Sequence, residues 1–276
     1  MIPDNEEDMH MKTVTFDYYP GGRKKALTMS YDDGNTEDRR LIEIFNKYGI
    51  RGTFHLNAGF LDSGAYISGS EIKELYRGHE VSAHGFRHPF LTQIPRKAVA
   101  EEILEDRRKL ESYAGYPVRG MSYPFGDFND ELLTVLPWLG IEYSRTVLDH
   151  GNFLLPANFL TWHPTCHHKG DVLGKLGRFE NSRPWERMPL FYVWGHSFEF
   201  ERENNWIIIE EFCRAASGNP DVWYATNVEI MDYVLAMRNL KLSVGNTQAY
   251  NPSSLSIWIG VDGEAVEIKP GELLTL

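Results

Sequence analysis

The chain has 276 residues, 42% hydrophobic, 13% aromatic and 24% charged, enough apolar material for a sizeable core and the profile of a folded globular protein rather than a disordered one. Its net charge of −11 and the lack of any Lys/Arg-rich run exclude nucleic acid or an anionic membrane as the principal partner and make a neutral substrate the natural expectation. No apolar run approaches the roughly 20 residues of a transmembrane helix, and the opening MIPDNEEDMHMK has no signal-peptide core. These features lead to the expectation of a cytoplasmic chain, or an extracellular one whose leader has been removed.

In chain order, TMSYDDG reads as a strand ending at Asp32, Asp33 and the flexible Gly34. Asn35 or Thr36 caps a helix with Leu41, Ile44, Phe45 and Tyr48 at i, i+3, i+4 and i+7, stopped by Gly49. GTFHLNA is a second strand, Ile72 to Arg77 a short helix and HEVSAHG a third strand. An amphipathic helix over 96–113 leads to the strand VRGMSYP, then to a helix over 130–139 that Pro137 disturbs. GIEYSRTV, PLFYVWGHS and VWYATN are the fifth to seventh strands, with helices over 204–216 and 228–238 after the last two. Residues 147–189 carry no readable strand-helix unit.

Alternating strands and helices imply a parallel α/β sheet, closed as a TIM-like barrel one strand short of eight or opened as a doubly wound sheet. Residues 241–276 change character: KLSVG, SSLSIWIGV and EAVEIKPGELLTL are β-rich, with Asp262-Gly263 as a hairpin turn. The expected division is a catalytic domain over 1–240 and a small β-rich extension over 241–276 packed on it. Cys166 and Cys213 lack paired metal-site spacing and read as free thiols. The pattern sets no oligomeric state.

The polar candidates cluster at strand ends, which lie on one face of a parallel α/β sheet. Asp32 and Asp33 close the first strand, His84 and His88 follow the third, SYPFG closes the fourth and His196 the sixth. Two histidines at His-x3-His spacing plus a carboxylate make a three-ligand set with an open position, so Asp33, His84 and His88 are read as ligands of a divalent cation. Zinc is the first expectation, with cobalt, nickel or manganese as alternatives. Asp32 then serves as base, His196 as the acid for a leaving group, and the Tyr123 N–H as oxyanion donor. Pro89 disfavours helical geometry at His88, so the pair is expected on a tight loop. TWHPTCHH places His163, Cys166, His167 and His168 together as a second metal-binding candidate or a wall of the cleft. Tyr31, Tyr123, Phe125, Trp162 and Trp194 are candidate sugar-stacking residues, and His163 is grouped with them on the substrate side. Trp258 reads as a hydrophobic plug.

SYDDG, HGFRH, YPFG and WGH, in that order, resemble the motifs of the polysaccharide deacetylase, or NodB-homology, family of carbohydrate esterases over residues 26 to about 238. The resemblance implies a distorted (β/α)7 barrel, with Asp32 in the base position, Asp33, His84 and His88 on the metal and His196 in the last motif. Three departures stand out. Ser122 occupies the place of an arginine that holds the catalytic aspartate, and Arg145 is the candidate replacement. Trp194 stands where a leucine lines the acetyl pocket, and the Asp-Trp motif that positions the acid is missing. The expected activity is metal-dependent removal of N-acetyl or O-acetyl groups from a glycan or amino-sugar derivative. A small cyclic imide or ureide as substrate, and a catalytically silent glycan-binding protein, are the alternatives.

Overall fold

A short strand, β1 (Val14–Thr15), precedes the long central strand β2 (Lys25–Asp33) in a computed structural model that describes residues 12–183 and 185–276. The reading of the N-terminal residues 1–11 lies outside the described residues. From Ala26 to Asp32 β2 is buried throughout, as its nearly unbroken run of apolar and small residues requires of a parallel strand covered on both faces. It is followed by α1 (Asp38–Tyr48), β3 (Gly52–Leu56), α2 (Ile72–Leu75), β4 (Glu80–Ala83), α3 (Arg96–Ala114), β5 (Gly120–Ser122), α4 (Asp130–Val135) and β6 (Tyr143–Arg145). α1 buries Leu41, Ile42, Ile44 and Phe45 against the sheet, stabilising the fold by about 1.5–3 kcal/mol for each large side chain. It ends where Gly49 turns left-handed at φ 66° and its N–H reaches back to the last turn. α4 gives way at Leu136 to a tighter turn containing Pro137, the expected disturbance.

The rest of the barrel comprises β7 (Cys166–His167), α5 (Val172–Glu180), β8 (Leu190–His196), α6 (Phe198–Arg202), α7 (Ile207–Ala216), β9 (Val222–Tyr224) and α8 (Asn227–Arg238). The strands run parallel in the order β6-β5-β4-β3-β2-β8-β7. β9 pairs with Lys25–Leu27 of β2, below the start of β3. The sheet curls into the distorted (β/α)7 barrel rather than an open doubly wound sheet, and the segment 162–167 bridges its two edges. Trp162 pairs with Arg145 of β6, and Cys166 and His167 pair with Val193 and Trp194 of β8. Within TWHPTCHH, the bridged Trp162 and the two residues of β7 therefore close the sheet, and α5 follows. The strand-helix unit not readable in 147–189 is β7 with α5: β7 has two residues, too few for a strand to show alternation.

The tail adds β10 (Lys241–Leu242), β11 (Gln248–Tyr250), β12 (Ile257–Val261), β13 (Glu264–Ile268) and β14 (Leu273–Thr275). They form two small antiparallel sheets, β10-β11-β14 and β1-β12-β13, so one of the two recruits a strand from the N-terminal side. Asp262 at φ 51° and Gly263 at φ 92° make the two-residue hairpin, the backbone a type I′ turn needs. Ala249, Ile257, Ile259 and Ile268 share one apolar cluster with Tyr19, Tyr233, Val234 and Met237, so the tail seals the side of the barrel beneath α8. Trp258 packs over Gly22 in this layer. Both cysteines are buried free thiols, and no helix among the described residues is long and apolar enough to cross a membrane.

Candidate active site and metal centre

Adjacent residues on a strand face opposite ways, and the end of β2 reverses that rule locally. Tyr31 points outward among Phe45, Phe54 and Phe200 and is fully buried; it is a core residue and not the substrate contact expected. Asp32 points into the barrel mouth. Asp33 adopts φ 80° and Gly34 φ 70°, turning the second carboxylate back toward the same space. The left-handed bend is what lets two neighbouring aspartates share one site.

His84 leaves β4 with its N–H donating to Asp106 Oδ2 at 2.9 Å, and the loop folds back through His88 at φ 57° rather than continuing as a helix. The two Nε2 atoms lie 3.0 Å apart, and Asp33 Oδ1 is 3.6 Å from His84 Nε2 and 3.8 Å from His88 Nε2. These separations approach the edges, about 3.3 Å, of a tetrahedron of donors at zinc bonding distance. His84 Nδ1–H donates to the Ser122 carbonyl at 2.9 Å, which leaves the Nε2 lone pair facing the other two donors. The set fits a divalent cation.

Asp32, 2% exposed, and Arg145, fully buried, form an ion pair in which Arg145 Nη2 donates to Asp32 Oδ2. Ser122 Oγ donates to the other carboxylate oxygen at 3.1 Å. The side chain at the missing-arginine position thus still supports Asp32, and the guanidinium arrives from β6 instead. Burial pushes the Asp32 carboxyl up, but Arg145, then His84, His55 and His196, outweigh it and hold the group well below the usual carboxylate range. Trp194 lies over this pair, its ring 4.4 Å from the Arg145 guanidinium and its Nε1–H donating to Asp149 Oδ1 at 2.7 Å. The indole shields the ion pair from solvent, a role a leucine could fill only in part.

His196 stands beside Asp32 in the β2–β8 register. Its Nδ1 is 3.6 Å from Glu199 Oε2, a residue the sequence reading missed. Burial pulls the His196 pKa down, but Glu199, Asp32 and Asp33 together raise it above its ordinary value. Glu199 supplies a carboxylate beside His196 in a chain that lacks the Asp-Trp motif. The signal was a glutamate at i+3 from the motif histidine on α6, hidden because FEFER reads as an ordinary amphipathic turn.

Other expected residues fall outside this cluster. The Tyr123 N–H donates to Arg145 O at 3.0 Å as part of the sheet edge, so it is not an oxyanion donor, and the buried Tyr123 hydroxyl bonds Leu160 O. Phe125, two positions on, has φ 58° and an N–H with no hydrogen-bond partner among the described residues. Its ring is 54% exposed, stacks on Phe90 at 3.9 Å and sits edge-on to His88 at 4.3 Å. Trp162 is 1% exposed among Tyr143, Phe159 and Tyr192; it fills the core. His163 is tied to Thr146 Oγ1 at 2.6 Å and lines a separate cleft with Asn152, Leu155 and Pro156.

Comparison with known proteins gives a family resemblance and a fold. A sequence profile of the polysaccharide deacetylase family matches residues 19–144. The chain is 27% identical over 111 residues to the peptidoglycan-N-acetylmuramic acid deacetylase of Bacillus subtilis, covering 40% of this chain and 23% of that protein. It is 23% identical over 122 residues to the peptidoglycan-N-acetylglucosamine deacetylase of Listeria monocytogenes, covering 41% and 25%. The chain therefore spans about a quarter of the length of these relatives. A crystal structure of a putative polysaccharide deacetylase from Mycobacterium smegmatis superposes with TM-score 0.62 at 16% identity, over 82% of this chain and 96% of that one; the likeness is one of fold.

Proposed function

This chain is related to the polysaccharide deacetylases through residues 19–144, and on that premise we propose that it hydrolyses an acyl group, N-acetyl foremost, from a glycan or amino-sugar derivative. The observation that carries the reading is the convergence of Asp33, His84 and His88 beside a buried Asp32–Arg145 pair, with His196 opposite. A divalent cation held by Asp33 Oδ1, His84 Nε2 and His88 Nε2 supplies Lewis acidity at a carbonyl oxygen and raises the acidity of water. Two imidazoles and a carboxylate suit zinc, cobalt or nickel.

The protein's own groups do the rest. Asp32, ionised throughout the working range, accepts the proton of the attacking water. The Phe125 N–H, unpaired among the described residues and in a turn whose ring touches His88, serves as donor to the developing oxyanion. His196, whose hold on its proton is strengthened by Glu199 and the two aspartates, delivers a proton to the departing nitrogen. The exposed Phe90–Phe125 pair at the rim offers a flat aromatic face of the kind sugar rings stack on, which favours a glycan over a small cyclic amide.

The direct test is acetate release from N-acetylated oligosaccharides and peptidoglycan fragments, before and after removal of metal with a chelator. Release that is lost with the metal and regained on adding zinc or cobalt is expected; no release from any acetylated glycan by metal-loaded protein would sink the reading. The pH profile gives a second check. Because Glu199 stabilises the His196 imidazolium, Glu199→Gln lowers the pKa of that acid. The alkaline limb, where His196 loses its proton, is expected to move to lower pH in kcat measurements, and an unmoved limb would remove Glu199 from this role.

A further inference from the structure

We propose that His167, His168 and Glu199 form a second divalent-cation site on the opposite side of β8 from Asp33, His84 and His88. His167 Nε2 and His168 Nε2 lie 3.0 and 3.3 Å from the same carboxylate oxygen, Glu199 Oε2. Despite this closeness, Glu199 Oε2 and both ring nitrogens of His168 are buried without a hydrogen-bond partner. An imidazole nitrogen of His168 lying against a carboxylate oxygen without a hydrogen bond to it, with His167 Nε2 on the same oxygen, has the arrangement of donors around a shared ion, whose tetrahedral edges are about 3.3 Å at zinc bonding distances. A buried, unpaired carboxylate oxygen and imidazole otherwise carry an uncompensated desolvation cost.

The surroundings are built to hold these atoms in place. His168 is 1% exposed and stacks on Phe200 at 4.2 Å. Gly195 makes room for it, since a Cβ there would come within 2.0 Å of His168 Nδ1. The two oxygens of Glu199 are divided: Oε1 takes Lys169 Nζ at 3.0 Å and Arg202 Nη2 at 3.4 Å, leaving Oε2 to the histidines. Lys169 and Arg202 also pair with Glu203, Asp149 accepts the His167 N–H at 2.8 Å, and His196 Nδ1 lies 3.6 Å from the same Glu199 Oε2, so three carboxylates balance Lys169, Arg202 and the His196 imidazolium. The Lys169 N–H lies 3.3 Å from His167 Nδ1, so occupation through Nε2 requires the ring proton to leave that nitrogen. The other members of TWHPTCHH are excluded: His163 is bonded to Thr146, and Cys166 is buried with its thiol pushed up to about 12 by burial. Two imidazoles with one carboxylate select a borderline ion such as zinc, cobalt or nickel over magnesium or calcium.

The test is titration of the metal-stripped full chain with cobalt(II) chloride, followed by visible absorption and by metal analysis after desalting. The expected stoichiometry is about two cobalt ions per chain, falling to about one in His167→Ala and in Glu199→Gln, while Asp33→Asn loses the other equivalent. Circular dichroism checks that each variant is folded. A stoichiometry of about one that neither His167→Ala nor Glu199→Gln lowers would overturn the second site. Binding that survives Asp33→Asn but not His167→Ala would uphold it while removing the metal centre of the catalytic reading, so the two failures are distinguishable.

Discussion

Asp32→Asn is expected to lower kcat for acetate release by about a hundred- to ten-thousand-fold, the usual contribution of a positioned general base. Asparagine keeps the size and one hydrogen-bond acceptor of the side chain, so the Ser122 hydroxyl retains a partner. It has no basic oxygen for the water proton. Asp33, His84 and His88 are untouched by the change, so bound metal per chain is expected to match the parent. Equal activity in the variant would show that the proton goes elsewhere, and loss of metal together with activity would mean that Asp32 belongs to the ligand set.

Arg145→Met carries the largest expected effect on stability. It leaves the Asp32 carboxylate buried beside Ser122 with no counter-charge, and breaking a buried pair from one side costs about 3–5 kcal/mol. The pH dependence should change sign as well. In the parent, Asp32 has a depressed pKa, so its contribution is present above the ordinary carboxylate range and is lost only in strong acid. Without Arg145, burial dominates and raises the carboxyl pKa, so the folded form binds the proton more tightly and stability falls as pH rises across that range. Urea unfolding at two pH values on either side of it measures both effects. The double variant with Asp32→Asn is expected to recover much of the lost stability, because neither charge then remains buried, but none of the activity. A single variant as stable as the parent would mean that water or a neighbour solvates Asp32 without Arg145.

The barrel was legible because its strands and helices are long enough to show their periods: β2, β8, α1 and α3 repeat the apolar spacing that parallel α/β packing demands. The closing strand was not, since two residues of β7 and one bridged tryptophan carry no period. β1 and β11, two and three residues long, escaped as well, whereas the equally short β5, β6 and β9 were read from the apolar segments and motifs around them. In the site, the placements of Asp32, Asp33, His84, His88 and His196 were readable from motif spacing. Arg145 as a partner for Asp32 could be named from its position at a strand end, but only the closed barrel brings it there. The Tyr123 N–H was read as the oxyanion donor because a sequence does not say which backbone N–H the sheet already uses; the Phe125 N–H is the proposed replacement. Trp162 and Tyr31 were drawn to the substrate side by chemistry alone; their burial is decided by which face of the strand each occupies.

Three residues around the reaction centre, Asp33, His88 and Phe125, hold left-handed backbone angles. Aspartate and histidine tolerate that region fairly well, whereas a phenylalanine there is an outlier whose strain is of order 1–3 kcal/mol. Nothing in the core rewards it, since the ring is more than half exposed. Replacing Phe125 with glycine is therefore expected to relieve that strain while removing the aromatic face at the rim, so the same substitution that steadies the fold would blunt the proposed sugar contact.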